Sequence, residues 1–254
     1  MLDEGLLDVA KPDAAFSLHV GSLLPAGTVA LRPGPMMAGS DFFRIVVTGR
    51  QTHGARPWSG IDPIVAASNI VLALQTIVSR DLDLTAAPAV VTVGAINGGV
   101  RHNIIPAEAE LLGTIRTFSE KDRKEVIERL GSIASGVAAA HGATARLEMM
   151  PAPNPVLVND PDLTQVVTES LKRALGMDAV RASTLNTVAE DYAHIAEAVP
   201  SVYWWVGVTP ASQDPSTAPD NHSELFYVDE AGINVGLRSL LHVAVDYLQA
   251  PPSR

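Results

Sequence analysis

Three of the seven histidines stand where a side chain can do chemistry. His19 lies toward the end of the alternating run Phe16-Ser17-Leu18-His19-Val20. His53 lies in the glycine-flanked loop Gly49-Arg50-Gln51-Thr52-His53-Gly54, and His222 closes a polar loop in Asp220-Asn221-His222-Ser223. Imidazole binds divalent metals and moves protons near neutral pH, and strand ends and long polar loops of α/β proteins are where ligands bind. Spacing alone does not bring the three together, and composition and spacing by themselves favour an ordinary structural place for each. The other four have such places: His141 at a helix C-terminus, where a cation is mildly favoured, His194 and His242 inside helices, and His102 in a turn. Glu190-Asp191 has two readings, a favourable interaction with a helix dipole or a carboxylate that holds metal or substrate.

Other chemistries are excluded by what the chain does not contain. It has no cysteine, which removes disulfides, thiolate ligands and a cysteine nucleophile together. There is no glycine-rich phosphate loop after a strand, no nucleophile elbow and no His-x-x-x-His pair on one helix. Ser17 and Ser223 are only sequence neighbours of histidines, so a serine hydrolase has little support. With 28 acidic and 18 basic side chains and no basic block, nucleic acid and anionic membranes are poor partners and small molecules better ones. Met1 to Asp8 carries acids and no base, the opposite of a secretory leader, so a cytoplasmic chain is expected. The longest apolar stretch, Ile64 to Val78, is broken by Ser68, Asn69, Gln75 and Thr76 and falls short of the roughly twenty residues a bilayer needs. It reads as a soluble helix.

These residues need elements to position them, and periodicity supplies a clear set between Asp41 and Met150. Phe43, Ile45 and Val47 mark one face of a strand. Asp62 and Pro63 cap a helix whose expected stripe is Ile64, Ala67, Val71, Leu74 and Val78. Ala89 to Ile96 is a second strand. After the Gly98-Gly99 turn, Glu108 to Thr117 is a third, with Ala109, Leu111 and Ile115 on one face. Ser119 opens a second helix with the stripe Val126, Leu130, Ile133 and Val137, ended by Gly142. Ala145, Leu147 and Met149 alternate in a fourth strand. The order βαββαβ is that of a ferredoxin-like unit.

The flanks are less regular. Residues 1–40 hold a short helical start, a strand around Ala15 to Val20 and a turn-rich run through Pro25, Gly27, Pro33, Gly34 and Pro35. Past the linker Pro151, Pro153, Pro155, a helix runs from Asp160-Pro161 to Gly176. Further helices are expected over Ala189 to Val199 and Asp229 to Gln249, with a buried strand at Ser201 to Val208 between them. The polar loop from Thr209 to Asn221 is of a kind that is often functional. The simplest architecture is one α/β domain built from both flanks, with the ferredoxin-like unit inserted, although one or two strands from each side make a thin sheet.

Taken together, these segments resemble the aminoacylase and carboxypeptidase-like metallopeptidases, in the amidohydrolase branch of hippurate and auxin-conjugate hydrolases. The resemblance rests on Ala15-Phe16-Ser17-Leu18-His19-Val20, Thr48-Gly49-Arg50-Gln51-Thr52-His53-Gly54-Ala55-Arg56-Pro57, Asp62-Pro63-Ile64, Asn103-Ile104-Ile105-Pro106, Gly113-Thr114-Ile115-Arg116, Ala189-Glu190-Asp191-Tyr192 and His222-Ser223-Glu224-Leu225-Phe226. It implies a partial α/β catalytic domain (residues 1–40 and 151–254) with an inserted ferredoxin-like lid and dimerisation domain (residues 41–150). It further implies two divalent ions, which zinc, manganese, cobalt or nickel would suit equally, and an N-acyl amino acid or small peptide as substrate. His19 and His222 are the implied metal ligands. His53 is the implied lid histidine, which reaches the partner subunit's site and stabilises the oxyanion. Asn103 and Arg116 are the implied substrate-holding residues, the Arg116 fork suiting a terminal carboxylate. No definite role attaches to Glu190 or Asp191.

The sequence also departs from that family. Its Cys-Gly-His-Asp-x-His motif and the Glu-Glu pair beyond it do not occur here, so the remaining ligands and the general base are not in this chain. Met1-Leu2-Asp3-Glu4-Gly5-Leu6-Leu7 resembles the helix that directly follows the Glu-Glu pair, and the chain reads as a fragment beginning past the base. The expectation is a homodimer through the lid with no turnover on its own. The competing expectation is a non-catalytic binding or dimerisation module derived from such an enzyme.

Overall fold

The computed structural model describes residues 1–83 and 85–249. It divides into two compact units, Met1–Met37 with Leu157–Asn186 and Glu190–Arg254, and Ala38–Val156 with Thr187–Ala189. Residues 250–254, part of the segment expected from 151 onward, lie outside the described residues.

In the second unit the alternation of Phe43, Ile45 and Val47 places all three side chains in the core. Their strand, Gly39–Thr48, lies inside a four-stranded antiparallel sheet ordered Val90–Gly98, Glu108–Thr117, Gly39–Thr48, Thr144–Met149. Helices Pro63–Thr76 and Glu120–Ala140 complete the strand–helix–strand–strand–helix–strand order, and their apolar faces join one core with the sheet. Each helix starts at an oxygen cap: Asp62 accepts from the amides of Ile64 and Val65, and Ser119 from that of Asp122. Asp41, buried on the first strand, takes a bidentate pair from Arg123 (2.8 Å to Nε, 2.7 Å to Nη2), which ties the second helix to the sheet.

The first helix buries a different stripe from the one its spacing suggests. Ala67 and Leu74 are buried as expected, but alongside Ala66, Ile70 and Ile77, while Ile64 is exposed and Val71 and Val78 are half-buried. The helix is apolar almost all round, so spacing cannot select a face. The sheet selects the one where Ala66 and Ala67 allow close approach. The helix continues as a π turn over Ile77–Asp81. At 19 residues with a mean hydropathy of 1.3, Pro63–Asp81 reaches the length and composition of a membrane span, more than the interrupted stretch suggests. A full face of it is packed on the sheet, which is how a core helix is used.

The first unit holds more strands than expected. Its main sheet is ordered Ala15–Pro25, Ser201–Thr209, Val29–Leu31, Val180–Ala182, and a two-stranded sheet pairs Gly34–Met37 with Leu157–Asn159. Four of these strands have three or four residues. Val29, Ala30 and Leu31 are all buried, so no alternation betrays the strand, and the neighbouring prolines and glycines read as turns. Ala15–Pro25 runs parallel to Ser201–Thr209 and occupies one edge. Trp204, Val202 and Val206 form the centre of the core with Leu163, Val167 and Leu171 of helix Pro161–Leu175 and Val243 of the final helix, Glu230–Gln249. Buried Asn159 fastens the two sheets: its amide NH2 donates to the carbonyls of Arg32 and Tyr203 (2.9 Å each), and its oxygen accepts from the Tyr203 amide (2.7 Å).

The helix expected from Ala189 begins only at Ala193. Glu190 lies ahead of it and is engaged elsewhere, its carboxylate accepting from the Tyr203 hydroxyl (2.8 Å) and the Tyr192 amide (3.4 Å).

Candidate functional site

His19 sits mid-strand in Ala15–Pro25, in register with Trp205, whose ring it meets edge-on at 5.5 Å. Its imidazole is exposed. His19 Nδ1 lies 2.7 Å from the Val20 carbonyl, which can only accept, so Nδ1 carries the proton and Nε2 keeps a lone pair directed away from the chain's own partner. That is the tautomer a metal-binding histidine adopts when its second nitrogen donates to a carbonyl.

The same carbonyl also holds the loop that carries His222. Asn221 Nδ2 donates to the Val20 carbonyl (2.8 Å), and Asn221 Oδ1 accepts from the Ser22 amide (3.3 Å). Asn221 thus completes part of the strand edge as a neighbouring strand would, with Thr209 Oγ1 donating to the Ser22 carbonyl beside it. His222 follows in a left-handed conformation (φ 62°), unusual for a residue with a Cβ, inside a turn closed by the Ser223 amide on the Asp220 carbonyl (2.9 Å). His19 and His222 therefore stand on two segments joined through one asparagine. Asn221 was the residue the sequence did not single out. Its position beside His222, with two donors and an acceptor, was the available signal.

Among the described residues no group of three or more His, Cys, Asp or Glu side chains is placed to hold a metal ion. Two imidazoles are too few for a dinuclear centre, so the residues present do not by themselves fit the two ions the resemblance implies. Glu190 does not join them, since both its oxygens are engaged with tyrosines. Burial, and then the bond to Glu190, holds the Tyr203 phenol far above its ordinary range.

In the other unit, His53 and Asn103 come together. Thr52 and His53 form a short antiparallel ladder with Ile105 and Ile104, and the Gly54 amide donates to the Asn103 carbonyl (2.8 Å). The loop is fixed at its base by paired bonds between Arg50 and Ile61 (2.9 and 3.0 Å). Gly60 makes this possible, because a Cβ there would stand 2.4 Å from Thr52 Cγ2 and 2.6 Å from the Arg50 carbonyl. His53 Nδ1 accepts from the Ala55 amide (3.0 Å), so the proton lies on exposed Nε2. This tautomer is opposite to that of His19: His53 presents a donor.

Arg116 is not with them. It lies opposite Ser40 and Val90 near one end of Glu108–Thr117, while His53 and Asn103 are at the other end, beside the Thr48–Glu108 pair. Eight residues of strand, about 27 Å, separate the two ends. Arg116 is half-buried, and burial lowers its guanidinium from the usual value.

The fold is mixed α/β, and the comparisons with known proteins relate it to hydrolases. Residues 37–141 match the peptidase dimerisation domain, and over nearly its whole length the chain is similar to members of the M20 peptidase family. It is 33% identical to N-acetylcysteine deacetylase of Bacillus subtilis, over 98% of this chain and 62% of that protein. It is 33% identical to IAA-amino acid hydrolase ILR1-like 2 of Arabidopsis thaliana, over 100% of this chain and 57% of that protein. A solved Bacillus subtilis structure described as a dinuclear metal-binding peptidase of the M20 family superposes with a TM-score of 0.77 at 29% identity, covering 98% of this chain and 60% of that one. The chain thus spans about 60% of the length of these relatives.

Proposed function

We propose that this chain is the lid and part of the catalytic domain of a hydrolase that cleaves the amide bond of N-acyl amino acids or small peptides. The observation that carries the reading is the opposite tautomers of the two exposed histidines. His19 offers a nitrogen lone pair, suited to a metal ion, and His53 offers an N–H, suited to an oxyanion. His222, on the segment that Asn221 joins to the His19 strand, is the second imidazole of the set. The other ligands and the proton-accepting carboxylate are not among this chain's residues, so it does not turn over substrate alone.

The distance from Arg116 to His53 and Asn103 supports a site shared between two copies. One end of each lid sheet serves one substrate and the other end serves the partner's. Val90–Gly98 is one of the two edge strands of that sheet, the other being Thr144–Met149; Ile96 is exposed on it and Leu72 on the helix packed beside it, and we assign the homodimer contact to that edge.

The test is a chimera that joins the portion of Bacillus subtilis N-acetylcysteine deacetylase outside the match to this chain. Metal-dependent hydrolysis of N-acetyl amino acids is expected, abolished by His19→Ala or His222→Ala. His53→Ala should lower kcat by about 10²–10³-fold with a small change in KM. An inactive folded chimera, or activity that survives His222→Ala, contradicts the reading.

A further inference from the structure

The two loops at the His53 end of the lid carry a charge opposite to that of the chain. Residues 49–61 and 97–107 hold Arg50, Arg56 and Arg101 and no acidic side chain, in a protein with 28 acidic and 18 basic residues. All three arginines are exposed, and among the described residues no ion pair includes any of them. The acids that border these loops are already engaged: Asp62 caps the helix Pro63–Thr76, and Glu108 accepts from Thr48 Oγ1 (3.2 Å). Backbone bonds fix the segments that carry the cations. Arg56 and Arg101 each lie two residues from an end of the bond by which Gly54 donates to the Asn103 carbonyl. Further bonds run from the Arg56 amide to the His53 carbonyl (2.8 Å) and from the Ile104 amide to the Arg101 carbonyl (3.4 Å), while Ile61 holds Arg50 at the base of its loop. Trp58, 78% exposed, and Val100, 96% exposed, add apolar surface on the same two loops. In an acidic protein, such a positive spot concentrates anions at one place.

We propose that Arg50, Arg56 and Arg101 form a recognition site for a second carboxylate, so that the substrates are N-acyl amino acids with one anionic group beyond the α-carboxylate, on the side chain or on the acyl group. Naming the ligand a substrate rests on the hydrolase reading, in which His53 stands at the scissile carbonyl and its neighbours face the groups around that carbonyl. Arg116, which suits the α-carboxylate, is at the far end of the lid sheet, and so leaves these three cations to a different group. A guanidinium fork matches a carboxylate with two parallel bonds. The charge around the site favours a small anion over a nucleic acid, because the acidic remainder of the chain repels a long polyanion.

The test reads binding to the full chain first. NMR signals of the Trp58 indole and of the loop amides are followed while N-acetyl-L-glutamate, N-succinyl-L-alanine or the monoanionic control N-acetyl-L-glutamine is added at constant ionic strength. At least one dicarboxylate is expected to bind about tenfold more tightly than the control at low salt, and the preference should shrink towards parity in roughly 1 M salt. Arg56→Gln with Arg101→Gln should abolish the preference, whereas Arg181→Gln, exposed in the other unit, should leave it intact. All these positions are exposed, so folding is preserved and checked by circular dichroism. Equal binding of the three ligands, or a preference that survives the double substitution, would overturn the proposal. The chimera described above separates this inference from the hydrolase reading. Its kcat/KM for the preferred dicarboxylate should exceed that for N-acetyl-L-glutamine by a similar factor, and an active chimera without that preference contradicts the second-carboxylate site alone. An inactive chimera with dicarboxylate binding intact contradicts the hydrolase reading and leaves the anion site of the lid standing.

Discussion

Chemically identical side chains acquire different capacities from a single backbone neighbour. The Val20 carbonyl fixes the His19 proton on Nδ1, and the Ala55 amide fixes the His53 proton on Nε2. Two-bond nitrogen–proton NMR correlations, recorded at a pH where both rings are neutral, should therefore show unprotonated Nε2 in His19 and unprotonated Nδ1 in His53. The reverse pattern in either ring would remove its assigned role. Asn221 acts on the same carbonyl, so Asn221→Ala should cost about 1–3 kcal/mol by leaving strand-edge groups without partners, read as a lower urea midpoint. It should also speed amide exchange at Ser22. The histidines were legible as candidates from residue type and loop context. Their protonation was not, because it depends on carbonyl and amide positions that only the folded chain defines.

Among the elements, long regular ones were readable and short buried ones were not. Glu108–Thr117 alternates cleanly because one face meets helices and the other does not. Val29–Leu31 and Val180–Ala182 are too short to show a period, and the helix Pro63–Thr76 is too uniformly apolar to reveal its inner face. Polar ties between elements give two tests. Removing Arg123 would strand the buried Asp41 carboxylate, so Arg123→Ala should destabilise the lid unit by roughly 3–5 kcal/mol, measured by denaturant unfolding. The second tie links Pro161–Leu175 to Glu230–Gln249: the Ser170 hydroxyl (2.6 Å) and Arg173 (2.8 Å) both donate to Asp246 and hold its carboxyl below the usual range. A depressed carboxyl contributes stability above its unfolded pKa of about 3.9 and loses it as pH falls through the lower folded value. Asp246→Asn should therefore lower Tm at pH 7, and the difference from the parent chain should vanish in strong acid. A difference that persists there would show that the carboxylate charge is not its source.

At the scale of the whole molecule, the two units account for the two halves of the proposed chemistry. The lid carries a donor at one sheet end and a guanidinium at the other, an arrangement that makes sense when two copies meet. Ile96→Lys with Leu72→Glu should convert a dimer to a monomer in light scattering at micromolar concentration, and a parent chain that is already monomeric would contradict the edge assignment. The other unit has two imidazoles on joined segments, an open sheet edge and a bare helix face. The absent Cys-Gly-His-Asp-x-His and Glu-Glu motifs were visible in the sequence. The bare face was not, because the final helix is apolar on both sides: Val243 is buried with Val235 and Leu240 packed on the core, while Ile233, Leu237 and Leu241 are exposed. The central claim, that this chain supplies part of a hydrolytic site and none of its general base, is tested most directly by assaying the purified 254-residue protein on N-acetyl amino acids with zinc, manganese, cobalt or nickel. No hydrolysis above the metal-only control is expected. Metal-dependent turnover that His222→Ala abolishes would contradict it.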